Sequence, residues 1–185
     1  MFTFSYIKIL SFSFISCIIV SCQQNKPVQK PENEISINEL KEPLIERNKK
    51  INEDEQRAID AYTKRRNWKM EKTGTGVEYM IYEKGDGILA QSGDIVVIYF
   101  NIQLLDGTPC YKTNTNEPYH FKVDYSNTES GMHEAIKFLH KGDKAIVIIP
   151  SHRAFGLAGD MDKIPPLSTV VYQIELLDVI QDKKS

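Results

Sequence analysis

The sequence predicts an α+β domain in which an antiparallel sheet wraps around one short helix. Runs that read as strands, either alternating with a period of two or rich in β-branched and aromatic residues, recur over positions 76–83, 95–105, 119–123, 144–149 and 169–180. A single stretch of helical spacing, 131–140, interrupts them, and its Met132, Ala135, Ile136 and Leu139 share one face. Turn signals separate the runs, Lys84-Gly85-Asp86-Gly87 and Asp106-Gly107 among them. A lone helix among antiparallel strands buries its apolar stripe only if the sheet covers it.

The chain begins differently. Residues 1–21 carry one lysine, Lys8, and then an uncharged apolar run that reaches Cys22. That run is short of the ~20 residues a membrane span needs and reads as a secretory signal. Its end, Ile19-Val20-Ser21-Cys22, resembles the bacterial lipoprotein cleavage box. The resemblance implies lipidation of Cys22 after the signal is removed, with a plain signal peptide as the simpler reading. Several acyl chains hold a protein at a membrane where one binds only marginally. Cys17 would leave with the signal and Cys22 would be modified, so Cys110 alone would remain and no intrachain disulfide is expected.

Residues 22–50 are polar, carry Pro27, Pro31 and Pro43, and read as a tether. The next segment, 51–72, holds a helix. Asn52 stands as its cap, with Glu55 three residues on as in a capping box, and basic residues follow at Lys64, Arg65 and Arg66. Ile51, Ala58, Ile59 and Tyr62 give it a narrow apolar stripe. Such a helix either packs on the domain or serves as an arm that dimerises or cradles a client. The domain proper runs over 73–180, and 181–185 are a polar tail.

Composition excludes several classes of function. Over 185 residues, 41% are hydrophobic and 26% charged, an ordinary globular balance. The net charge of −2 and the scattered basic residues give no footprint for nucleic acid. His120, His133, His140 and His152 lack the spacing of metal ligands, so no metal or other cofactor is expected.

The order and spacing of short motifs carry a family resemblance. Thr75-Gly76-Val77-Glu78-Tyr79, Gly93-Asp94, Asp106-Gly107, Ala154-Phe155-Gly156, Ile164-Pro165-Pro166 and Glu175-Leu176-Leu177-Asp178-Val179 follow one another across 73–179. In that order they resemble FKBP-type peptidyl-prolyl cis-trans isomerases. The resemblance implies an FKBP-like fold and a pocket walled by Phe100, Phe121, Phe155, Ile164 and Tyr172. Tyr111, Tyr119 and Met132 would complete the surface that meets the substrate, and the Ile164 N–H would meet a substrate carbonyl. Phe121 and Tyr172 read also as core aromatics, and Met132 as simple packing.

This sequence departs from the family pattern at several places. Phe100 and Tyr111 stand where a hydrogen-bonded tyrosine and aspartate are usual, and Phe155 where a tyrosine is usual. Cys110 replaces a phenylalanine, Met132 a tryptophan, and Thr128-Glu129 two aliphatic residues. Peptidyl-prolyl isomerase activity on exported envelope proteins is the expectation from the resemblance, and a non-catalytic chaperone or scaffold that grips proline-containing segments is the alternative. Lipobox, basic helix and single domain together resemble the gliding-motility-associated isomerase lipoproteins of Bacteroidetes. Expected partners are exported proline-containing polypeptides, the membrane through a lipid anchor, and a second copy through the N-terminal helix.

Overall fold

The structure, a computed structural model, describes residues 37–181. The signal over 1–21, the lipidation site Cys22, the first part of the tether and residues 182–185 lie outside the described residues. The chain divides into two compact units, Met1–Leu40 and Lys41–Ser185. Of the first, only the opening residues of a helix are described.

That helix, α1 (Ile37–Arg65), runs for 29 residues. It starts well before the predicted cap at Asn52, so residues 37–50 are helical and not an extended tether, and Pro43 lies inside the helix. Residues 41–50 are all exposed. They are mostly good helix formers, Leu, Lys, Glu and Arg, supported within the helix by charged neighbours such as Lys49 and Glu53. No apolar periodicity was needed there, and so none marks the start. The packing is concentrated further on, where Ile59 and Tyr62 are fully buried.

Seven strands follow: β1 (Glu71–Lys72), β2 (Glu78–Glu83), β3 (Ile95–Leu104), β4 (Pro109–Lys112), β5 (Tyr119–Lys122), β6 (Lys144–Ile149) and β7 (Val170–Ile180). They form one antiparallel sheet in the order β1-β2-β6-β7-β3-β4. The first half of β3 pairs with β5 and the second half with β4, so one long strand serves two partners along the same edge. Irregularities between Val97 and Ile98 against β7, and between Ile102 and Gln103 against β4, bend it. This bend turns the sheet around α2 (Ser130–Ile136), the short helix.

β6 is buried on both faces. Ala145, Val147 and Ile149 join Ile98, Ile174, Leu176 and the α2 residues Met132, Ala135 and Ile136 in the main core. Ile146 and Ile148 face the other way and pack with Val171 against Ile59 and Tyr62 of α1. A strand covered on both sides reads as a continuous apolar run, as Ala145 to Ile149 does. The Tyr62 hydroxyl, carried into this second cluster, accepts from Gln103 at 2.9 Å. The Arg66 guanidinium lies 3.5 Å from the centre of its ring.

α2 seats tightly because Gly131 carries no side chain: a Cβ there would stand 2.3 Å from Ile149 Cγ2. The helix ends at Ile136, short of the expected 140. Its successors are drawn away by an isolated bridge between Leu89 and His140 and by the Ala90 N–H on the Leu139 carbonyl. Asp143, 1% exposed, fixes this corner by accepting the main-chain N–H groups of Gly85 and His140, each at 2.7 Å.

Candidate functional site

Between β3, β5, β7 and the start of α2 the sheet and helix leave a cavity of about 320 Å³. The inward faces of neighbouring strands supply aromatic rings in stagger, with Tyr119 opposite Ile98 and Tyr172 opposite Ile102, to either side of Phe100 along β3. Phe100 of β3 meets Tyr119 of β5 edge-on at 5.7 Å and Tyr172 of β7 at 6.0 Å. Ile98, Ile102 and the buried Met132 complete the apolar lining, and Phe155 closes it from the loop after β6. Tyr111 of β4 stands at the edge.

Of the residues expected from the sequence, Phe100, Tyr111, Tyr119, Met132, Phe155 and Tyr172 line this cavity. Phe121 and Ile164 are placed elsewhere. Phe121, 3% exposed, lies one step inward of Tyr119 on β5, with ring centres 5.8 Å apart, and meets His133 edge-on. Ile164, 2% exposed, puts its side chain into the main core. Cys110 is buried, its Sγ near the carbonyls of Thr108 and Lys163, and burial pushes its thiol up.

The expected role of the Ile164 N–H is taken within the chain. It donates to Asp160 Oδ1 at 2.7 Å, and the Asp162 N–H donates to the same oxygen at 2.9 Å. Asp160 Oδ2 accepts the Tyr111 hydroxyl, which also reaches Asp162 at 3.0 Å. Burial works against ionisation of Asp160, but the Tyr111 hydroxyl and the two amides outweigh it and hold the carboxyl below its usual range. Those bonds to Asp160 and Asp162 push the Tyr111 phenol up. Gly159 permits the tight turn, since a Cβ there would come within 2.2 Å of the Ile164 carbonyl oxygen and its φ is +67°. Asp160 is not among the residues expected from the sequence. The pattern Gly-Asp followed four residues later by Ile-Pro was the available signal.

The turn before α2 supplies the other rim. Thr128 bonds the Tyr119 hydroxyl at 3.1 Å, and Glu129 Oε1 accepts the Tyr172 hydroxyl at 3.2 Å. Burial, then the Glu129 charge, raises the Tyr172 phenol well above its ordinary value, so it acts only as a neutral donor. The Glu129 main-chain N–H has no partner among the described residues and belongs to a residue that lines the cavity. His133 holds this turn: its Nδ1 accepts the Asp124 N–H and its Nε2 meets the Ser126 carbonyl, both at 3.0 Å. That pairing requires the tautomer protonated on Nε2.

The chemistry open to such a site is selective enclosure. It is a small aromatic cavity with hydroxyls at its rim, and the described residues offer neither a nucleophile beside a base nor a metal cluster within it. A planar amide is charge-separated, and twisting it reduces that separation. Moved from water into aromatic surroundings, the twisted form loses less solvation than the planar one.

Comparison with known proteins agrees with this geometry. Residues 87–177 match the family model for the FKBP-type peptidyl-prolyl cis-trans isomerase. The chain is 37% identical over 108 residues to the FKBP-type peptidyl-prolyl cis-trans isomerase FkpA of Escherichia coli K12, covering 58% of this chain and 39% of that protein. It is 30% identical over 109 residues to the FKBP-type 22 kDa peptidyl-prolyl cis-trans isomerase of the same organism, covering 58% and 52%. The chain thus spans about two fifths to one half of the length of these relatives. The crystal structure of FkpA from Escherichia coli superposes with a TM-score of 0.60 at 29% identity, over 80% of this chain and 75% of that one. A peptidyl-prolyl cis-trans isomerase from Pseudomonas syringae pv. tomato superposes with a TM-score of 0.60 at 25% identity, over 70% and 96%.

Proposed function

The folded domain belongs to the FKBP-type peptidyl-prolyl cis-trans isomerase family, an isomerase class, and from that premise we propose that this chain isomerises X-Pro bonds in exported polypeptides of the cell envelope. Rotation about a peptide bond meets a barrier of ~18–20 kcal/mol because it breaks amide resonance. For X-Pro bonds exchange takes tens of seconds or longer, slow enough to limit folding. The observation that carries the reading is the aromatic cavity formed by Phe100, Tyr119, Phe155 and Tyr172 over Met132. Its rings would enclose the prolyl ring, and the free N–H of Glu129 would hold a neighbouring carbonyl. Each ~1.4 kcal/mol by which the twisted amide is preferred gives tenfold in rate.

The setting rests on the sequence. The apolar leader and the Ile19-Val20-Ser21-Cys22 box support export and a lipid anchor at Cys22. A lipobox, a basic helix and one domain, with a composition rich in Lys, Ile and Asn, support the finer reading of a gliding-motility-associated envelope lipoprotein of Bacteroidetes. Exposed Leu44 and Ile45 on α1 support pairing of two copies through that helix. Sedimentation of the chain with and without residues 37–50 tests the pairing, and a monomer in both cases removes it.

A second reading is a chaperone that grips proline segments without turnover. Phe100 offers no hydroxyl, and the Ile164 amide is already spent on Asp160. NMR exchange on an Ala-Pro peptide separates the two. The proposal expects cis–trans exchange to accelerate with the wild type and to lose at least tenfold of that acceleration with Phe155→Ala. Peptide shifts without faster exchange would leave the chaperone, and overturn the enzyme.

A further inference from the structure

Glu129 sets a carboxylate against an otherwise apolar, aromatic cavity. It lines that cavity with Ile98, Phe100, Met132 and Tyr172. The Tyr172 hydroxyl fixes Oε1, and Tyr172 stays neutral, so the bond orients the carboxylate without cancelling its charge. No lysine or arginine among the described residues pairs with it. A half-buried carboxylate with no ion-pair partner among the described residues, at the edge of an apolar cavity that would enclose the prolyl ring, is a selector for a cation on the neighbouring residue.

The surroundings bear on the sign. Across the mouth, Asp160 and Asp162 share the Tyr111 hydroxyl and add negative charge. Lys163 is placed over the Tyr111 ring at 4.8 Å. Lys112 also lines the edge, but it is exposed and flexible enough to turn to solvent. The half-exposed ring of Tyr119 gives the stem of a long cationic side chain an apolar surface to lie along.

We propose that Glu129 makes this site prefer proline-containing segments with a lysine or arginine next to the proline over segments with an acidic residue there. This rests on the cavity being the site that receives proline. Selection follows from the ion pair that forms as the cation leaves water, and it weakens with salt.

Three blocked tetrapeptides, with Lys-Pro, Ala-Pro and Glu-Pro at their centres, test it on the full chain. NMR titration gives their affinities, and exchange spectra on the same samples give any acceleration. The wild type is expected to bind Lys-Pro about fivefold more tightly than Ala-Pro, the size a partly exposed ion pair supplies, with Glu-Pro weaker still. Glu129→Gln brings Lys-Pro and Ala-Pro level, and Glu129→Lys reverses the order. Near-ultraviolet circular dichroism checks that both variants remain folded. Equal affinities in the wild type, a preference that survives Glu129→Gln, or binding of none of the peptides would each overturn the proposal. Charge-ordered binding without faster exchange would sink the isomerase reading and leave this selectivity standing.

Discussion

Glu55 on α1 receives the main-chain N–H of Ser151 at 2.7 Å and the Ser151 hydroxyl at 3.0 Å, across 96 positions of sequence. The Thr169 hydroxyl donates to the same carboxylate. Ser151 and Thr169 are both buried, so these donors have no water to turn to if the carboxylate is removed. Glu55→Ala is therefore expected to destabilise the fold by about 2–3 kcal/mol, as an unsatisfied buried donor costs. Urea unfolding measures it, and a loss within about 0.5 kcal/mol, the range of surface substitutions, would show that α1 is not latched there.

Tyr62 carries the apolar half of the same attachment. Tyr62→Ala removes a fully buried ring from between Ile146, Ile148 and Trp68. A loss of about 3–5 kcal/mol is expected, in the range of large aromatic truncations. The calorimetric midpoint should fall accordingly. If it is unchanged, α1 is an appendage and not part of the folded unit.

Gly131→Ala tests how closely α2 approaches β6. The added methyl would stand 2.3 Å from Ile149 Cγ2 and 3.1 Å from the Arg153 carbonyl oxygen, so helix or strand must shift. Overpacking of this kind costs about 1–3 kcal/mol. Because Met132 adjoins, the cavity should change shape as well, and peptide binding should weaken more than stability alone explains.

These attachments show what was legible in the sequence. The long runs at 95–105 and 169–180 and the helix around Met132 were legible because Val96, Ile98, Ile102, Val170, Tyr172, Ile174 and the helix residues Met132, Ala135 and Ile136 all face the main core, even though Val171 is packed on the other face against α1. β6 also read correctly as a strand, although it shows no alternation, because both of its faces are covered. β4 was missed: four residues directly after a turn hold too little pattern. The start of α1 was missed for the opposite reason, because residues 41–50 touch nothing that would impose a pattern. Glu55 looked like half of a capping box, and only the tertiary fold gives it Ser151. At the site, residue types were legible while hydrogen-bond partners were not. Only the spacing of Gly159-Asp160 ahead of Ile164-Pro165 hinted that Asp160 would occupy the Ile164 amide.

Asp160 gives a pH dependence with a definite sign. Its folded value lies below the ordinary aspartate value of ~3.9. The stability it contributes is present above that ordinary value and is lost as pH falls through the depressed one. Following the Ile164 amide by NMR should show a titration below pH ~3.9. Tyr111→Phe, which removes the bond to Asp160 Oδ2, should move it upward. An Ile164 amide that ignores pH would contradict the Asp160 contact.

The central claim is that the cavity over Met132 is where proline sits. Methyl-labelled protein titrated with an Ala-Pro peptide tests it most directly. The Met132 and Ile98 methyl resonances, which line the cavity, are expected to shift in a saturable way, while Ile146 and Ile148 under α1 stay put. Phe155→Ala should weaken the response. A silent Met132, with shifts gathered at Ile146 and Ile148 instead, would place binding on the other face of the sheet and contradict the account.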